Sequence, residues 1–164
     1  FRQDVLIAPT WNTNFYKTNC HLELSKILKE NKINFKLRPH PMSIKNNEIS
    51  LLDLKKEKIE VDNFKYLSFE KYDYLISDWS GIFIEYALIF KRKAYLINTS
   101  KKIINKDYLT YENIPIEISL RNILANSFNI NEIQPMVKEI LFQKKIKNKT
   151  IDSDIKKIIN NNFY

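Results

Sequence analysis

Glycine is nearly missing from this chain. Gly81 is the only one in 164 residues, where average usage gives about 11. That scarcity excludes a glycine-rich dinucleotide loop and a Walker P-loop, both of which need several glycines at fixed spacing. Cysteine is as rare. Cys20 stands alone, so no internal disulfide can form, no Cys-x-x-Cys metal pattern exists, and a reducing compartment is implied. The two histidines, His21 and His40, belong to no Ser-His-Asp nucleophile pattern. No apolar run approaches the roughly 18 residues of a membrane span, and no secretory signal opens the chain. The first residue is Phe1, directly before a strand pattern, which suggests a piece of a larger protein.

What is abundant is positive charge and apolar bulk. The net charge is +8 and the hydrophobic share 44%, enough for one domain with a real core. The lysines are spread in pieces such as Lys55-Lys56, Lys91-Arg92-Lys93, Lys101-Lys102 and Lys144-Lys145. Such a balance suits nucleic acid, an anionic membrane surface or phosphorylated substrates. It equally fits a composition rich in Lys, Asn and Ile throughout. No RNA-binding aromatic motif or helix-turn-helix signal accompanies the charge, so nucleic acid is not the expected partner.

Short continuous apolar runs alternate with helical periodicity. Val5–Ala8, Phe35–Leu37, Ile59–Val61, Tyr74–Ile76 and Ala94–Ile97 read as strands buried on both faces. Leu24, Ile27 and Leu28 carry helical spacing, as do 82–91 and Ile133, Val137, Ile140 and Leu141. A short helix is expected around Ile49 to Leu54, a connector over 64–71, a loop over 108–113 and an edge strand at Ile116–Ile118. Helices are expected over 120–126, 131–142 and 151–160. Pro39 and Pro41, flanking His40, predict an extended turn that excludes helix. The fold class that follows is α/β, a mostly parallel sheet flanked by helices.

Ligands of such sheets bind beyond the carboxyl ends of the strands. Here those ends read Thr10-Trp11, Arg38-His40, Asp62, Asp78-Ser80-Gly81 and Asn98-Thr99. Gly81 sits between an apolar strand and an apolar helix, marking a tight strand-to-helix turn. Ser80 is the expected N-cap, and the free N–H groups beyond it form a natural phosphate seat. Glu85 is the only acid between Asp78 and Asp107. On an apolar, buried helix it holds either a ribose hydroxyl or a lysine. Arg38 offers a charged fork for phosphate oxygens, and His40 a proton for a departing phosphate. Asp78 orients Ser80 or His40, or caps its own turn. Trp11 and Trp79 stack on a base, shape the rim, or belong to the core. His21 has no evident partner and reads as a surface residue. No metal ligand set and no cofactor is expected.

Three pieces together, Val5-Leu-Ile-Ala-Pro-Thr-Trp11, Leu37-Arg-Pro-His-Pro41 and Leu75-Ile-Ser-Asp-Trp-Ser-Gly-Ile-Phe-Ile-Glu-Tyr-Ala87, resemble the CDP-glycerol glycerophosphotransferase family. Its members build teichoic-acid-like or capsular polymers. The resemblance covers residues 4 to about 118. It implies a GT-B architecture of two Rossmann-like halves, of which this chain is similar to the C-terminal, donor-nucleotide half. Arg38 and His40 would then face the donor pyrophosphate, Asp78, Ser80 and Gly81 form the phosphate turn, and Glu85 hold the ribose. Trp79 stands where the family usually has tyrosine and Gly81 where it has a second serine. The donor is thus open between CDP-glycerol, CDP-ribitol and a nucleotide sugar.

The resemblance also implies a transferase acting at the inner face of a bacterial membrane, with an N-terminal half outside this sequence carrying the acceptor side. The isolated chain is then expected to release no CMP. The alternatives are a nucleotide-sugar glycosyltransferase or epimerase-like domain and, in another class, a basic non-enzymatic module for nucleic acid or anionic membrane.

Overall fold

A computed structural model describes residues 3–62, 69–101 and 115–145. Five strands form one parallel sheet: β1 (Gln3–Ile7), β2 (Phe35–Leu37), β3 (Tyr72–Ser77), β4 (Ala94–Asn98) and β5 (Ala125–Asn129), in the order β2-β1-β3-β4-β5. Val5 pairs with Phe35 on one side and Tyr74 on the other, so β1 is an interior strand. The chain leaves β1 toward β2, then returns to β3 on the opposite side. The order therefore reverses between β1 and β3, the place beyond whose carboxyl ends sheets of this kind bind their ligands.

Successive strand residues point to opposite faces, and both faces are buried. Val5, Ile7, Ile76, Tyr95 and Ile97 pack in one cluster with Leu24 and Leu28 of α1 (Cys20–Glu30), Leu54 of a short helix (Leu51–Lys56), and Met136 and Ile140 of a C-terminal helix (Ile133–Lys145). Leu6, Leu75, Ala94 and Leu96 face the other cluster, with Phe83, Tyr86 and Ala87 from the helix that follows β3. This two-sided burial is why the strands are continuously apolar rather than alternating. In chain order the remaining helices are α2 (Pro41–Lys45), α3 (Leu51–Lys56), α4 (Ile82–Phe90), α5 (Ile116–Ser119), α6 (Arg121–Leu124) and α7 (Ile133–Lys145).

Several local expectations are corrected. Ile59–Val61 makes only one bridge, Val61 to Leu37, rather than a strand. It still occupies the position outside β2. Pro41 does not exclude helix: it begins α2, where its missing N–H costs nothing. The helix expected around 49–54 runs two residues later, from a Ser50 N-cap. Ile116–Ile118 is the helix α5, and the edge strand is instead Ala125–Asn129, inside what read partly as helix. A three-residue Ile-Glu-Ile pattern fits one helical turn as well as a strand. Ala-Asn-Ser-Phe-Asn is too polar to announce itself, yet pairs in register with all of β4. Within the connector before β3, 69–71 forms a single turn, while 63–68 lies outside the described residues. So do the loop expected over 108–113 and the helix expected over 151–160.

Candidate functional site

Asp78, the first residue past β3, ties the strand ends together. Its side chain is fully buried. Oδ1 accepts from the Thr10 N–H at 2.7 Å, and Oδ2 from the hydroxyls of Thr13 at 3.1 Å and Thr99 at 3.4 Å. The carboxyl ends of β1, β3 and β4 are thereby joined. Burial pushes the Asp78 pKa upward, and the donors from Thr10, Thr13, Trp79 and Thr99 pull it back. Neither Ser80 nor His40 is among these partners. A second tie lies alongside, where Asn14 and Ser100 exchange two hydrogen bonds of 2.9 and 2.7 Å.

At the end of β2, His40 caps α2: its Nδ1 accepts from the Met42 N–H at 3.1 Å. That bond assigns the neutral ring's proton to Nε2. The imidazole lies 6.2 Å from the Trp11 ring, tilted by 34°, so the ends of β1 and β2 also meet. Arg38 takes a different course. Its guanidinium is ion-paired with Asp62, through Nη2 and through Nε at 2.8 Å, with the two side chains 10% and 13% exposed. Burial, and then the neighbouring Asp62, push the Tyr72 pKa upward. Arg38 Nη1 is buried without a partner. Any anion that meets Arg38 has to share it with Asp62.

The turn after β3 differs from expectation in two respects. Gly81, not Ser80, is the N-cap of α4, and its φ of −65° is one any residue adopts. Ser80 Oγ accepts from the Ile82 N–H at 3.4 Å. A Cβ on Gly81 would stand 3.7 Å from the Glu117 Cγ and Oε1, an ordinary contact. Neither backbone strain nor packing therefore requires glycine here. Among the described residues the Ser80 and Gly81 N–H groups have no acceptor. Glu85 is exposed on α4 rather than buried, and makes no ion pair among the described residues. The helix is apolar in composition, but only Phe83, Tyr86 and Ala87 are fully buried, with Ile82, Ile84 and Phe90 packed partly buried beside them.

Trp79 is half-buried. Its Nε1 donates to the Thr99 carbonyl at 2.8 Å, and the Arg121 guanidinium lies over its ring, 4.0 Å from the centroid. Thus Thr10, Asp78 and Trp79 come together, with Ser80 and Gly81 adjoining in sequence. Trp11 and His40 form a second pair beside them. Thr13, Thr99 and Arg121 were not foreseen as site residues. Thr99 had a signal, its place at a strand end, whereas Thr13 and Arg121 had none. His21, expected at the surface, is buried with its Nδ1 unpartnered, its ring 5.2 Å from that of Tyr16. Burial lowers its pKa, opposed by the Glu57 charge.

Among the described residues no group of His, Cys, Asp and Glu side chains is placed to hold a metal ion. No described helix is long and apolar enough to cross a membrane. A depression of about 350 Å³ lined by Lys29, Lys32, Asn34, Lys58 and Glu60 lies at the amino end of β2, away from these groups.

A doubly wound parallel sheet with its polar side chains gathered at the switch point defines a Rossmann-like α/β domain. Residues 2–114 match the model of the CDP-Glycerol:Poly(glycerophosphate) glycerophosphotransferase family. That is well over half of the chain, and the chain belongs to this family. Comparison with curated proteins finds no match, and neither does comparison with solved structures.

Proposed function

We propose that this chain is the donor-binding domain of a transferase that moves glycerol phosphate, or a related polyol phosphate, from a CDP-activated donor to a cell-surface polymer. One observation carries the reading. The Ser80 and Gly81 N–H groups stand open at the N-terminus of α4, at a glycine that neither φ nor packing demands. Close approach of a ligand is the remaining reason for a residue without a side chain. A diphosphate there meets two N–H donors and the positive end of a nine-residue helix.

In this reading the half-buried Trp11 and Trp79 border the nucleoside, and Thr10 and Asp78 hold the turn rather than touch the donor. His40 presents its Nε2–H as a hydrogen-bond donor to a phosphate oxygen. To act as a proton donor it would have to carry a second proton on Nδ1 and give up its cap on Met42. Arg38 adds positive charge from its shared position on Asp62. Glu85 reaches a ribose hydroxyl only across the exposed side of α4. The transfer itself is an in-line attack by an acceptor hydroxyl on the phosphate, with CMP leaving. Developing charge on the bridging oxygens is stabilised by fixed dipoles and N–H groups. The base and the acceptor groove belong to a second, N-terminal half of a GT-B enzyme. The net charge of +8 suits docking on the anionic inner face of the membrane. Family membership favours this class over a non-enzymatic basic module.

Gly81→Ala tests the carrying observation. The added Cβ has room, so melting should shift by no more than about 1 kcal/mol equivalent. CDP-glycerol binding, measured by calorimetry, should weaken at least tenfold, and Gly81→Val should weaken it further. Unchanged affinity in a stable Gly81→Ala variant would remove the turn from the site.

A further inference from the structure

The family match ends at residue 114, yet a side chain beyond it reaches the turn. Arg121 opens α6 and is 5% exposed. Its Nη1 donates to the Asp78 carbonyl at 2.6 Å, and its Nη2 to Asn98 Oδ1 at 2.9 Å and to the Ile97 carbonyl at 3.4 Å. One planar group therefore ties the carboxyl ends of β3 and β4. The same group lies over Trp79, with Cζ 4.0 Å from the ring centroid.

All three acceptors are neutral oxygens. A buried cation held this way is costly unless its geometry serves something, and an apolar side chain of similar size would pack here with less penalty. The geometry is specific to arginine. A lysine ammonium cannot span both strand ends and stack on an indole at once. The peptide between Asp78 and Trp79 is anchored on both sides. Its carbonyl is taken by Arg121, and the Asp78 side chain before it is held by Thr10, Thr13 and Thr99. The Trp79 ring after it is held by the Thr99 carbonyl and by Arg121. The Ser80 and Gly81 N–H groups are the next two along the chain from this anchored peptide.

We propose that Arg121 is a positioning residue for donor binding. It orients the Ser80 and Gly81 N–H groups toward the diphosphate, and it backs one side of the Trp79 indole. This rests on the reading of the turn as a nucleotide-diphosphate seat.

Calorimetric titration of the whole chain with CDP, for the unaltered protein, Arg121→Lys and Arg121→Met, tests it. Arg121→Lys is the primary variant because it keeps charge and stem and is the more certain to fold. Both variants, shown folded by far-UV circular dichroism and a cooperative melt, should bind CDP about tenfold more weakly, about 1.4 kcal/mol. Stoichiometry should stay normal, and the near-UV tryptophan band should diminish. A purely structural arginine would change melting temperature and the bindable fraction, but not the affinity of the folded molecules. Folded variants with unchanged CDP affinity would overturn the proposal. No binding of millimolar CDP by the unaltered chain would instead overturn the nucleotide reading, and this proposal with it. The unaltered control separates the two failures.

Discussion

Removing Asp78 should be strongly destabilising, and the kind of harm separates two explanations of it. Either its charge matters or its acceptor geometry does. Its oxygens receive the Thr10 N–H at 2.7 Å and the Thr13 and Thr99 hydroxyls at 3.1 and 3.4 Å. Burial raises its pKa, so the fold disfavours the ion relative to water. Asp78→Ala leaves a buried N–H and two hydroxyls without their acceptor. An orphaned buried donor costs about 1–3 kcal/mol. The hydroxyls can rotate toward other acceptors, so the sum should be about 3–5 kcal/mol. Asp78→Asn keeps Oδ1 for Thr10 and turns an amide toward two hydroxyls that can accept as well as donate. It also removes a charge that burial penalises. Its cost should be about 1–2 kcal/mol. Urea unfolding followed by circular dichroism measures both, at constant m-value. If asparagine proves as damaging as alanine, the carboxylate charge is essential and the acceptor argument is wrong.

The Arg38–Asp62 pair gives a second test. Asp62→Ala strands a buried guanidinium and should cost about 3–5 kcal/mol, whereas Arg38→Met with Asp62→Leu should recover much of that loss. Chemical denaturation reads it, and a double variant no better than Asp62→Ala would contradict the buried-pair description. His21 gives a third, in pH. Its folded pKa lies below the unfolded value of about 6.5, because burial disfavours the cation. Below that value the unfolded chain binds the extra proton, so stability falls as pH drops from about 6.5 toward the lowered folded pKa, by at most about 1.4 kcal/mol per pH unit. His21→Phe should flatten this part of the melting-temperature profile between pH 7.5 and 5.5, and an unchanged profile would show that His21 does not titrate there.

Much of the architecture was legible because it depends on local pattern. Continuous apolar runs such as Val5–Ile7 and Tyr95–Ile97 specify strands covered on both sides, and both sides are covered. Parallel strands then bring their carboxyl ends to one edge, which is enough to place Thr10, Asp78 and Trp79 near one another from sequence. Tertiary structure decided what those side chains touch. Asp78 accepts from Thr10 and Thr13, and Arg121 clamps the Asp78 carbonyl. These partners lie far apart in sequence and leave no local periodicity to read. The edge strand Ala125–Asn129 is announced by no apolar run: only Ala125 and Phe128 pack on the core, and the backbone of β4 pairs with all five residues. Glu85 and His21 exchanged their expected places, exposed and buried. Composition tells how apolar a helix is, but only its neighbours determine which face they cover.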